Sequence, residues 1–202
     1  MPITIDGTGT ITGATTLAST VASPTFTTPA LGTPASGVLT NCSGYPAITS
    51  GTAQASTSGT SIDFTGLPSG VKRVTVMFSG VSTNGTSLKQ VQLGNGSIVT
   101  SGYVGTASIF NSATEINPTT GFTLGYSNSA VDVIYAQMVI TTLGSNVWIA
   151  SVMFPIASGG SWVGTAYTGG ITLGGTLDRL RITTVNGTDT FDAGSINILY
   201  ES

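Results

Sequence analysis

The chain has 202 residues, of which 6% are charged and 40% hydrophobic, and its formal net charge is −3. Soluble domains usually carry about 25% charge; here Thr, Ser, Gly and Asn take its place, which suits exposed, closely packed β-structure and neither a cytosolic enzyme nor charge-rich disorder. Five basic residues are too few to neutralise a nucleic-acid backbone or to hold the chain on an anionic membrane.

The absence of histidine removes Ser-His-Asp and Cys-His catalysis and imidazole metal sites. The single cysteine, Cys42, excludes an intrachain disulfide and a Cys-based metal centre, and is expected to be a small buried hydrophobe. No apolar run reaches the roughly 18 residues that would span a bilayer. The stretch MPITIDGTG has neither the basic region nor the apolar stretch of a secretion signal.

Residues 1–22 place Ile3 and Ile5, then Ile11, then Leu17 and Val21 between Gly7, Gly9 and Gly13. Such weakly apolar bursts describe an extended arm that gains order by docking on a partner. The glycines of GTGTITG lack the lysine and following helix of a phosphate loop. Residues 23–46, SPTFTTPALGTPASGVLTNCSGYP, set prolines at 24, 29, 34 and 46 among Phe26, Leu31, Val38, Leu39 and Tyr45. Each proline fixes φ and pushes its predecessor toward extended geometry, so a helix is excluded. One copy cannot bury enough apolar surface to offset roughly 1–2 kcal/mol of backbone entropy per residue. The segment is therefore either a linker or an element ordered against copies of itself. No charged residue stands between Asp6 and Asp63, which suits packing against other copies.

The motif P-A-L-G-T-P-A-S-G-V-L-T-N-C-x-G-x-P, preceded by MPITIDGTGTITG, closely resembles the N-terminal attachment and shaft segments of bacteriophage fibre proteins, over about the first 46 residues. The resemblance implies a homotrimeric virion fibre: an attachment arm at 1–22, an intertwined shaft and joint at 23–59, and a β-structured head at 60–202. It also implies docking on another virion protein through Ile3, Ile5 and Ile11. Trimer contacts would run through Phe26, Leu31, Val38, Leu39 and Tyr45. Such a protein is made in the host cytoplasm and sits on the particle surface, on tail or capsid.

Residues 47–60 lose even the scattered large side chains and read as a Gly/Ser-type joint. From Thr60 the pattern becomes that of strands. KRVTVMF sets Val74, Val76 and Phe78 on one face against Arg73, Thr75 and Met77. Asn84-Gly85 is a hairpin signal, Asn95-Gly96 closes the following run of Leu88, Val91 and Leu93, and Asn186-Gly187 marks another tight turn. Further strands are expected at 97–104, 121–126, 131–142, 146–154, 161–167, 177–185 and 195–200. Short strands, frequent turns and no helical period indicate an antiparallel β-sandwich, jelly-roll-like head. Its core is expected around Val131, Val133, Tyr135, Met138, Ile140, Trp148, Ile149, Val152 and Phe154.

Among the eight acids only Asp189 and Asp192 in NGTDTFDAG lie close enough in sequence to suggest the carboxylate pair of a glycan-cleaving spike. Both read more simply as turn acids. Asn186, Asp189 and Asp192 could supply oxygen ligands to a cation, but without EF-hand spacing. No catalytic residue, metal or cofactor is assigned. Tyr103, Tyr126, Trp162 and Tyr167 sit beside Gly, Ser, Thr or Val where loop tips are expected. Either they stack on sugar rings, or they pack into the sandwich or a subunit seam. Arg179 and Arg181 share an outward face and could pair with Asp178 or with an acid of another copy.

The expectation is thus a non-enzymatic tail fibre whose head binds a host-surface receptor, a glycan. The alternatives are a capsid- or neck-mounted decorating or connecting fibre, and a carbohydrate-cleaving spike.

Overall fold

The computed structural model describes residues 48–110, 112–126, 129–158 and 161–202, with backbone alone at 157, 158 and 161. The arm positions Ile3, Ile5 and Ile11, the shaft positions Phe26, Leu31, Val38, Leu39 and Tyr45, and Cys42 lie outside the described residues.

The described chain is all-β. Its larger sheet orders β1 (Ile48–Ser50), β14 (Phe191–Glu201), β4 (Arg73–Thr83), β10 (Val133–Gly144), β11 (Val147–Ser158), β12 (Ser161–Thr172), β7 (Val104–Ile109) and β8 (Glu115–Ile116), with β2 (Gln54–Ala55) also on β14. The smaller sheet orders β3 (Ser61–Thr65), β13 (Arg179–Thr184), β5 (Lys89–Asn95) and β6 (Ser97–Ile98), with β9 (Phe122–Thr123) on β5. All pairings are antiparallel.

Side chains alternate across a pleated strand, so one face of each sheet is apolar by sequence. Val74, Val76 and Phe78 of β4, Met138 and Ile140 of β10, and Trp148, Val152 and Phe154 of β11 point inward from the larger sheet. Val91 and Leu93 of β5 and Leu180 and Ile182 of β13 answer them from the smaller one, and all join a single core. The hairpin between β10 and β11 turns at Ser145 and Asn146, with φ of 49° and 60°. Positive φ at both central residues matches the twist of flanking antiparallel strands.

Several expectations need correction. Val131, Tyr135 and Ile149 are exposed, and Val133 is only half-buried. Tyr135 and Ile149 have the opposite parity to Met138 and Trp148; a run apolar on both faces does not say which face is inward. The joint expected at 47–60 is partly strand: β1 and β2 lie along β14, and Gly51 N–H donates to Ile198 O at 2.8 Å while Ser56 N–H donates to Gly194 O at 2.9 Å. Backbone hydrogen bonds supply the order that its small side chains cannot, and strand is already present at Ile48–Ser50, ahead of residue 60.

Asn95-Gly96 does close a hairpin, between β5 and β6. Asn84-Gly85 does not: it carries the chain from the larger sheet to the smaller. Asn84 N–H donates to Thr190 O, and Thr190 N–H donates to Asn84 Oδ1, each at 2.9 Å, so the crossing is tied to the opposite connection. A side chain at position 85 would collide with the Asp189 carboxylate. The strand expected at 97–104 is split into β6 and the start of β7, with Gly102 at φ 85° between them. The edge strand β8 had no signal of its own.

A core built from both sheets makes a direct prediction. Met138→Ala in the larger sheet and Leu180→Ala in the smaller should each cost about 2–5 kcal/mol, read from denaturant midpoints. A cost under about 1 kcal/mol for either would mean that the two sheets do not share this core.

Candidate functional site

The four aromatic candidates part company. Tyr103 is buried: its hydroxyl donates to Val99 O at 3.1 Å, accepts from Leu93 N–H at 2.7 Å, and its ring meets Phe122 edge-on at 5.0 Å. Tyr167 is buried on the inner face of β12, over Gly105 and Gly169, where a Cβ at either glycine would strike its hydroxyl. Both therefore take the packing role. Tyr126 is half-buried, its N–H donating to Thr165 Oγ1 at 2.8 Å. Only Trp162, 67% exposed on β12, is fully available to a ligand. Burial pushes the Tyr103 phenol up to about 12, against the pull of the Leu93 hydrogen bond, and pushes Tyr167 up further, with Tyr103 adding to the effect.

The acids singled out in sequence are held by their neighbours. Asp189 accepts from Asn186 Nδ2 at 2.6 Å and from Ser87 N–H at 2.9 Å, while Asp192 accepts from Ser82 Oγ. Asn186 Oδ1 in turn accepts from the Thr188 and Asp189 N–H groups, at 3.0 and 3.2 Å, as expected of a turn. Among the described residues no group of three His, Cys, Asp or Glu side chains could hold a metal ion.

The arginines face outward on β13, as their alternation with Leu180 and Ile182 predicts. Arg179 donates to both Asp178 oxygens, at 2.8 and 3.0 Å. That guanidinium, with the Gly96 N–H, holds the Asp178 carboxyl below its usual range. Arg181 grips Asp63 through two bonds of 2.7 Å.

Register then assembles a polar groove on the outer side of the smaller sheet. Arg181 lies between Asp63 of β3 and Gln92 of β5, and Thr183 between Ser61 and Gln90. Thr120 forms a wall: its hydroxyl donates to Gln90 Oε1 at 2.9 Å and its carbonyl accepts from Gln92 Nε2 at 2.8 Å. Together with Thr60 and Thr100 these residues line about 290 Å³. Its donors and acceptors are amides and hydroxyls, and its one cation is balanced by Asp63. Such a lining can hydrogen-bond a polyol and gives an anion little net attraction.

The outer side of the larger sheet is different in kind. Register places Met77, Gln137, Met153, Ala166 and Ser108 in one row across β4, β10, β11, β12 and β7, beside a row of Thr75, Val139, Ser151, Thr168 and Thr106. Around these rows lies a concavity of about 490 Å³.

Lys89 escaped the sequence reading. It is completely buried, in phase with Val91 and Leu93 on the inner side of β5, and that shared parity was the available signal. Burial pulls its ammonium below the usual range, opposed by the carboxylates of Asp132, Asp189 and Asp192.

Comparison with protein-family models, with curated proteins and with solved structures gave no match.

Tyr103→Phe would leave the buried Leu93 N–H and Val99 O without this partner, and should cost about 1–3 kcal/mol. A phenol whose folded pKa is raised contributes stability that is fully present below pH 10.0 and is lost as pH climbs toward about 12. Wild-type stability should therefore fall across that window, and Tyr103→Phe should flatten the fall. Equal slopes in pH-dependent denaturant titrations would contradict this assignment.

Proposed function

We propose that the chain is a non-enzymatic subunit of a bacteriophage fibre whose head adsorbs to a neutral glycan on the host surface. The N-terminal 46 residues, by their resemblance to fibre attachment and shaft segments, dock on another virion protein and bring copies together as a trimer. The observation that carries the glycan assignment is the groove of the smaller sheet, where Thr60, Ser61, Thr100, Thr120, Asn186 and the Asp63-balanced Arg181 set amides and hydroxyls without net charge around the buried Gln90 and Gln92. Sugar hydroxyls are both donors and acceptors, and a few converging polar groups fix their orientation.

One observation favours a second reading, a structural fibre mounted on capsid or neck: burial of Tyr103 and Tyr167 removes two aromatics that would stack on sugars.

Binding separates the two. The intact chain should retain on immobilised neutral bacterial polysaccharides and slow infection when added first. Gln92→Leu with Arg181→Ala should weaken retention at least tenfold with an unchanged circular dichroism spectrum, since net hydrogen-bond contributions of about 1 kcal/mol accumulate. No retention and no effect on infection at saturating protein would leave the structural role. Sugar release abolished by Asp189→Asn would instead make the protein a cleaving spike.

A further inference from the structure

We infer that the outer side of the larger sheet, across β10, β11 and β12, is covered by a second copy of this chain. The inference rests on the fibre reading in one respect, that copies are held side by side.

A sheet face turned to water should alternate apolar-in with polar-out. Here the outward positions include Met153, Tyr135 and Ile149, which are 70%, 57% and 45% exposed, and Trp162 stands on the same side of β12. Several large apolar side chains exposed on one sheet face, set among small uncharged ones, mark a contact region. Its occupant follows from charge. β10, β11 and β12 contain no charged residue; the charges on this side of the sheet stand at its borders, Arg73 with Glu201 on β4 and β14 in the row of Ile149, and Glu115 on β8 in the row of Met153. A foreign partner is usually selected by complementary charge. A copy of the same face brings like against like, which a neutral face permits without repulsion.

Two further features agree. The concavity at the middle of the face is floored by small side chains, Ser108, Ser151 and Ala166, with Met153 beside it, so that a side chain of a facing copy has somewhere to seat. Ile48, the first described residue, lies on an edge strand of this same sheet. In the fibre reading the residues that bring copies together, 23–46, shortly precede this strand in sequence.

The two tryptophans make the test specific, because Trp148 is buried and Trp162 is exposed in the single chain. In the intact protein, quenching of tryptophan emission by acrylamide reports Trp162. The expected result is an oligomeric mass by light scattering with Trp162 quenched at least fivefold more slowly than a free indole. Met153→Lys, an exposed substitution in the lone chain, should raise that rate severalfold and shift the mass distribution downward, with an unchanged circular dichroism spectrum. An oligomer with freely quenched Trp162, or one indifferent to Met153→Lys, would overturn the inference and leave the fibre reading standing on its N-terminal segment. Shielding of Trp162 that appears only when neutral polysaccharide is added would assign the face to ligand and overturn it too. A monomer overturns it together with the trimer, while retention on polysaccharide, measured separately, decides the adsorption role.

Discussion

A pleated sheet has two faces, and in this molecule one cover serves the larger sheet. The smaller sheet faces it, so each strand of β4, β10, β11 and β12 must sort its residues by parity into those that meet that cover and those that do not. The fit is incomplete because the lengths differ: β4, β10, β11 and β12 run 11 or 12 residues, whereas β3, β5 and β13 run 5 to 7. Connections complete the cover. Leu67, Val71, Leu173 and Leu177, none of them in a strand, are buried in the same core. Two-sided apolarity in the long strands then leaves a second apolar face, and from that surplus come both the misplaced core residues and the contact surface.

Charge is used so sparingly that each instance has a visible place. The ion pairs Arg73–Glu201, Arg179–Asp178 and Arg181–Asp63 all sit on part-exposed side chains, where solvent screening leaves such pairs little energy and they chiefly set local geometry. Asp178 shows the geometric role, since it also accepts from the Gly96 N–H and so steadies the β5–β6 turn. Lys89 and Asp132 lie deeper, both buried. A buried cation is tolerated where carboxylates and hydrogen bonds compensate its lost hydration, and three aspartates surround the end of β5 where it lies. Asp189 joins that cluster to the Asn186 turn and to Ser87, so the acids that resembled a catalytic pair are better understood as the polar frame of one end of the sandwich.

How much was legible in the sequence follows from the same pleat. Strands with one polar face announced themselves: RLRI and RVTVMF gave the correct inward residues because each charge identifies its face. VDVIYAQMVITT and NVWIASVMF carry apolar residues at both parities, so strand identity was plain and direction was not. Tyr103 and Tyr167 were left between two roles for a related reason. Neighbouring glycines looked like loop tips, whereas Gly105 and Gly169 lie within strands and leave room for the Tyr167 ring. The groove was illegible because it is made by register: Arg181, Gln92 and Thr120 meet only once β13, β5 and the segment before β9 are laid side by side. Lys89 was legible by parity with Val91 and Leu93, a signal that went unused in the sequence reading.

Edges decide how such a molecule can associate. Unpaired strand edges invite pairing with another chain, and short or charged edge strands discourage it. The larger sheet ends on β1 and β2 beyond β14, of 3 and 2 residues, and on β8 beyond β7, of 2 residues with Glu115 in it. Among the described residues, neither end offers a long flat ladder for a neighbouring sheet to continue. The faces are not blunted in this way: the outward positions of β10, β11 and β12 carry neither lysine nor glutamate. The described strands therefore offer poor means of joining edge to edge and better means of packing face to face. The proposed self-association covers the outer side of the larger sheet and leaves the amide- and hydroxyl-lined groove of the smaller sheet uncovered.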